Sequence, residues 1–294
     1  MLLSELIQEA TGRLREIYPE REAREMVYAF LEHQIGTKRH THIVEPGHEV
    51  SDEDASAAMA AFLRMASGEP LQYVTGHADF YGRRFRVTPD VLIPRPETEI
   101  LCRHVLDRQL HDPAVLDLCT GSGCIAWTLA LEMPGAKVTC LDISDGALSV
   151  ASSQDFSEEI SRTGALPPTF LKADVLAGPE AFLTHLPSDR FDVITSNPPY
   201  VMDKEKALMR PNVLEHEPHL ALFVSDDDPL VFYRSIAIWA KACLKPGGYG
   251  IVEINEALGE QTAEIFKAAG FGHAEVMKDF SERDRYVIFT GKFV

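Results

Sequence analysis

The chain has 294 residues, 45% of them hydrophobic, and a formal net charge of −17 from 28 basic against 45 acidic side chains. Such a length leaves room for two domains with cores of their own, while the acid excess argues against sequence-independent binding to a phosphate backbone, which draws on clustered lysine and arginine. No apolar stretch is long enough to cross a membrane, and Glu5, Gln8, Glu9 and Arg13 interrupt the hydrophobic residues where a signal peptide would need an apolar run. Cys102, Cys119, Cys124, Cys140 and Cys243 form no CxxC pair, so neither a disulfide framework nor a zinc site is indicated. The expectation is a cytoplasmic, monomeric protein. Its acidic surface suits a basic protein partner, and serves solubility equally well.

The stretch up to about Gly68 reads as helical. Leu3, Leu6, Ile7, Ala10, Leu14 and Ile17 recur on one helical face. A second helix runs from Glu20 to Gln34 with Ala23, Met26, Val27, Phe30 and Leu31 as its apolar stripe and Gly36 as its C-terminal cap. Ser51 caps a third, whose Asp52, Glu53 and Asp54 favour the positive helix end, with Met59, Phe62, Leu63 and Ala66 facing inward. From Leu71 to Leu92 the pattern becomes β-prone: Gln72–Thr75 and Phe85–Val87 flank a turn at Tyr81-Gly82. An amphipathic helix through Ile100, Leu101, Val105 and Leu106 then opens the second domain. The domain boundaries expected are 1–69 helical, 70–92 a β-hairpin linker and 93–294 catalytic.

From Ala114 onward short apolar strands alternate with helices, the pattern of an α/β fold with a parallel sheet covered on both faces. The first strand, Val115–Leu118, runs into Cys119-Thr120-Gly121-Ser122-Gly123 and a helix through Ile125, Ala126 and Leu129. Glycines there let backbone approach a ligand, and the new helix offers unpaired N–H groups. The second strand ends in Asp142, ~20 residues past the glycine loop, where an acid accepts from ribose hydroxyls. The third ends at Asp174, whose carboxylate suits an adenine amino group, with Val175 beside it to pack on the ring.

The loop is ambiguous by itself. Gly121, Gly123 and Ala126 satisfy the G-x-G-x-x-A dinucleotide fingerprint of a nicotinamide dehydrogenase. The wider spacing from Asp117 through Cys119, Gly121 and Gly123 resembles the acid-x-Gly-x-Gly-x-Gly loop of class I methyltransferases that use S-adenosylmethionine. The fourth strand, Phe191–Thr195, delivers Asn197-Pro198-Pro199-Tyr200 to the same sheet edge. The Asn197 side-chain oxygen and the Pro198 carbonyl can accept hydrogen bonds from one planar NH2 group, on which Tyr200 can stack. Two prolines stiffen the loop and remove competing donors. The same tetrapeptide also fits an ordinary strand-ending turn.

Longer segments narrow the field. Gly68-Glu69-Pro70-Leu71-Gln72-Tyr73-Val74-Thr75-Gly76, Leu92-Ile93-Pro94-Arg95-Pro96-Glu97-Thr98-Glu99, Glu217-Pro218-His219-Leu220-Ala221-Leu222, Phe232-Tyr233-Arg234 and Lys245-Pro246-Gly247-Gly248 stand beside Asn197–Tyr200. With them the chain resembles the bacterial release-factor glutamine methyltransferases over nearly its whole length. The resemblance implies a helical substrate-recognition domain, a hairpin linker and a Rossmann-like class I methyltransferase domain. It further implies methylation of the glutamine side-chain nitrogen in the Gly-Gly-Gln motif of class I peptide chain release factors, by direct in-line displacement. Carried over by position, Thr120, Gly121, Ser122 and Gly123, with Asp117 and Cys119, surround the methionine part of the cofactor. Asp142 takes the ribose, Asp174 and Val175 the adenine, and Asn197 both the cofactor's edge and the target amide. The chain departs from the family pattern at Cys119, where glycine is usual, and at Val175, where some members carry an aromatic residue.

The nearest alternative is an adenine-N6 methyltransferase, which would use the same tetrapeptide on a flipped base. A dehydrogenase and a catalytically inert release-factor-binding module follow. His77, Asp79 and the other histidines read as surface or structural groups, and Asp226-Asp227-Asp228 as a solvated loop, so no metal site is expected. Ser153–Glu159 and Ala177–Asp189 read as surface helix and loop.

Overall fold

The computed structural model describes residues 1–183 and 190–291, so part of the expected 177–189 loop lies outside the described residues. The chain divides into two compact units: Met1–His77 with Met209–His216, and Ala78–Leu208 with the residues from Glu217 onward.

Helices Leu3–Leu14, Glu20–Ile35 and Asp52–Ala66 build the first unit. Leu6, Ala10 and Leu14 bury with Val27, Phe30, Leu31, Phe62 and Met65, and the Phe30 and Phe62 rings meet edge-on at 4.9 Å. Gly36 closes the second helix at φ 75°, and Ser51 Oγ accepts the Asp54 N–H at 3.1 Å. Two stripe positions differ from expectation. Ile17 is 50% exposed because its helix has ended at Leu14, and Leu63 is 53% exposed because Ala58, Phe62 and Met65 take the inward face.

Gln72–Thr75 is helical, where a strand was expected: the turn spans Leu71–Thr75 and closes at Gly76 with φ 76°. Leu71 and Val74, three apart, both pack on the first core, and Thr75 Oγ1 donates back to the Leu71 carbonyl at 3.1 Å. Packing of one helical face outweighs the β-prone composition. The hairpin proper is β1 (His77–Phe80) with β2 (Arg83–Arg86). Its central residues Tyr81 and Gly82 have φ 50° and 71°, the double left-handed geometry of a type I′ turn. The Glu99 carboxylate accepts the Tyr81 N–H at 2.8 Å. Phe80 and Phe85 bury in the core of the second unit.

That unit is built on β3 (Ala114–Leu118), β4 (Lys137–Asp142), β5 (Thr169–Lys172), β6 (Phe191–Ser196), the short parallel pair β7 (Val201–Met202) and β8 (Phe223–Val224), β9 (Leu244–Glu253), β10 (His273–Lys278) and β11 (Asp284–Thr290). Seven strands form one sheet in the order β10-β11-β9-β6-β3-β4-β5. β9, β6, β3, β4 and β5 run parallel, and β11 lies antiparallel between β9 and β10, so β10 points the same way as the parallel strands. Alternation along each strand feeds two cores. Val115, Val193 and Ile251 face helices Pro96–Leu106 and Cys124–Glu132, whereas Leu116, Ile194 and Val252 face Val231–Cys243 and Gly259–Ala268. The chain leaves β3 toward β4 and β5, then returns to place β6 on the other side. A crevice therefore opens between the carboxyl ends of β3 and β6, where ligands bind in open α/β sheets. Among the described residues no helix is long and apolar enough to cross a membrane.

Candidate active site

A cavity of about 210 Å³ occupies that crevice. Cys119, Thr120, Gly121 and Ser122 line it after β3, Asp142 at the end of β4, Asp174 and Val175 after β5, and Asn197 and Pro199 after β6. Asp117, Gly123, Pro198 and Tyr200 do not line it.

The glycine loop reverses sharply because Cys119, Gly121 and Gly123 all take left-handed φ values, 61°, 55° and 78°. At Gly123 a Cβ would meet the Ala151 Cβ at 3.1 Å and Trp127 Cδ1 at 3.2 Å, so the glycine serves helix packing. At Gly121 a Cβ would meet nothing within 4 Å, and its backbone borders open space. Gln154 braces the loop from behind, donating to the Ser122 carbonyl at 3.2 Å and exchanging hydrogen bonds with the backbone of Arg86 on β2 at 2.8 and 2.9 Å. The hairpin is thereby part of the site's frame.

Asp117 sits beneath the loop, fully buried. Thr120 donates to one carboxylate oxygen at 2.6 Å and Thr195 to the other at 2.7 Å, tying β3 to the loop and to β6. Burial pushes its carboxyl up to about 6, against the pull of the two hydroxyls. Asp142 accepts the Gly121 N–H on one oxygen and the Ser144 N–H on the other, each at 2.9 Å. Those bonds fix the carboxylate while leaving lone pairs for further donors. Burial raises its pKa and the backbone N–H groups oppose the rise. Asp174 lies two residues beyond β5, and caps a short turn by accepting the Leu176 N–H at 2.8 Å. Val175 is buried beside it, its carbonyl held by Ser235 and, at 2.9 Å, by the Trp239 indole N–H.

Beyond β6, the Asn197 amide donates to Thr98 Oγ1 at 3.1 Å. Thr98 donates to Glu253 at 2.7 Å, and the Tyr200 hydroxyl donates to the other Glu253 oxygen at 2.8 Å. Tyr200 packs against the core on that side of the sheet. Asn255 holds the Tyr200 carbonyl at 3.2 Å. Sequence reasoning assigned no role to Thr98 or Glu253. Thr98 stood inside the quoted Leu92–Glu99 segment, and the signal for Glu253 was an acid ending the apolar run from Tyr249. Val91, Leu92, Pro94, Arg95 and Phe232 complete the lining. Arg95 is pinned by the buried Glu217 at 2.6 Å, which also accepts the Ile93 N–H at 3.2 Å.

These residues fit S-adenosylmethionine. Gly121 leaves room for the methionine chain, Asp142 presents an anchored carboxylate for ribose hydroxyls, and Ile143, Val175 and Leu176 offer apolar walls for a purine. Asp90, Asp142 and Asp174 put acidic groups in the lining, which favours a ligand carrying a sulfonium and an ammonium. Sheet order, switch-point cavity and loop together define a class I S-adenosylmethionine-dependent methyltransferase.

The PrmC N-terminal domain profile matches residues 5–76 and the methyltransferase small domain profile residues 96–217. The release factor glutamine methyltransferase of Flavobacterium psychrophilum is 35% identical, over 98% of either chain. The protein of the same name from Bacteroides thetaiotaomicron is 42% identical over 76% of each, and that of Chlorobaculum tepidum 36% identical over 87% of this chain and 86% of its own. The chain belongs to the release factor glutamine methyltransferase family.

Proposed function

We propose that the enzyme methylates the side-chain amide nitrogen (N5) of the glutamine in the Gly-Gly-Gln motif of class I peptide chain release factors, acting as a monomer in the cytoplasm. The observation that carries this reading is Asn197, held on the cavity wall with its NH2 turned to Thr98 and its oxygen left to accept. S-adenosylmethionine supplies an electrophilic methyl group when bound. An amide nitrogen is a poor nucleophile, because its lone pair is shared with the carbonyl. The protein's part is to hold the NH2 group at Asn197 and to exclude water. Holding reactants at attack distance contributes about 7–11 kcal/mol, so no dedicated side-chain base is required.

The test is mass spectrometry of a release factor incubated with enzyme and S-adenosylmethionine, with duplex DNA in a parallel reaction. A single methyl on the Gly-Gly-Gln glutamine is expected; methyl transfer to adenine and none to the protein would overturn the reading. Asn197→Ala should keep cofactor affinity and lose turnover by about 100-fold or more. Asp142→Ala should instead weaken cofactor binding by about tenfold or more in calorimetry.

A further inference from the structure

Glu253 ends β9 in the core of the second unit, and both its carboxylate oxygens are taken: one by the Thr98 hydroxyl at 2.7 Å, the other by the Tyr200 hydroxyl at 2.8 Å. Thr98 stands in the first turn of helix Pro96–Leu106, 2% exposed. An ionised carboxylate only accepts, and a threonine hydroxyl has a single proton to give. Thr98 therefore spends its proton on Glu253 and has only lone pairs left for Asn197. The Asn197 amide must meet it with Nδ2, as it does at 3.1 Å. The reverse orientation would set the amide oxygen against the Thr98 lone pairs. With the nitrogen committed, the oxygen is the end left over on the cavity wall. A target NH2 group is a donor, so this is the end it needs. Burial raises the Glu253 carboxyl, opposed by the Thr98 and Tyr200 hydrogen bonds and by the Arg285 charge.

We propose that Glu253 and Thr98 form a one-way hydrogen-bond relay that locks Asn197 with its amide oxygen toward the substrate, making both positioning residues for methyl transfer. The proposal rests on the reading of Asn197 as holder of the target amide. The same carboxylate grips the far end of the tetrapeptide through Tyr200, so one buried acid sets both the orientation of Asn197 and the seat of its loop.

The test uses the full-length enzyme at about pH 8, near the cytoplasmic range in which a hydrogen-bonded carboxylate is ionised. Thr98→Val keeps the shape and removes the hydroxyl. It should lower kcat by about tenfold or more, with KM for release factor and the S-adenosylmethionine dissociation constant within about threefold of wild type. Thr98→Ser should recover most of the turnover. In an Asn197→Ala background Thr98→Val should add no further loss, because Thr98 acts through Asn197. Glu253→Met, which cannot accept from Thr98 and so frees its proton to turn toward the Asn197 oxygen, should lower kcat in the same way, and it carries the test if Thr98→Val fails to fold. Wild-type turnover in either folded variant overturns the relay, as does a Thr98→Val loss that adds in full to that of Asn197→Ala. A wild-type enzyme that leaves the release factor unmodified overturns the glutamine reading, and the relay's purpose with it.

Discussion

Asp117 shows how a carboxylate can matter to a site it never faces. It lies under the glycine loop with a hydroxyl on each oxygen, from Thr120 and Thr195, and burial raises its pKa from 3.8 to about 6. A raised acid binds its proton more tightly in the folded state than in the unfolded chain. Its contribution to stability is therefore complete below about pH 4 and lost as the pH rises through about 6. The gap corresponds to about 3 kcal/mol. Asp117→Asn removes the titration. Between pH 4 and 7 the wild type should lose about 3 kcal/mol of unfolding free energy relative to the variant. A difference that stays constant over that range would refute the assignment. The sequence marked Asp117 as the acid heading the loop, in the place where a cofactor contact would be sought. It could not reveal that the side chain turns into the interior, because that depends on Thr195 arriving from a strand 78 positions away.

At the scale of the elements, β9 and β11 interlock through a glycine. Gly250 lies opposite Phe289 in the antiparallel register, and the Phe289 ring covers it, stacked on Phe266 at 3.9 Å and edge-on to Phe271 at 4.9 Å. A Cβ on Gly250 would come within 2.1 Å of that ring. Gly250→Ala should then push the ring out of its stack and lower stability by about 1–3 kcal/mol. Urea unfolding gives the answer, and an unmoved midpoint would count against the argument. The strands of the sheet were readable as short apolar runs between helices, since burial on both faces leaves little else in them. Gln72–Thr75 was not. A segment that short, with mixed propensity, takes whichever form its neighbours reward, and here the neighbours were the helices of the first unit.

The whole molecule carries an acid excess of 17 charges. Self-repulsion at that level opposes compactness, and salt screens it within a distance of about 10 Å at 0.1 M. Raising sodium chloride from about 20 to about 200 mM should raise Tm by about 2 °C or more; a fall would mean that the surface ion pairs dominate instead. At this scale the composition, the alternation of strands and helices from β3 to β6 and the loops that follow β3, β4, β5 and β6 were legible in the linear chain, whereas the antiparallel β10 and β11 were not. Local periodicity and the chemistry of glycine, proline and acidic side chains report where a strand stops and a ligand-facing loop begins. Which loop residues face the cavity was decided only by tertiary structure. Thr120, Gly121, Asp142, Val175 and Asn197 reach it, whereas Asp117 and Tyr200 turn into the framework, and Thr98 joins the lining from a distant segment with Glu253 behind it. The reason is physical. A motif states which groups a site has at its disposal, but the direction of a hydrogen bond depends on its partner, and partners separated by up to 155 residues meet only when the sheet and its helices have closed around them.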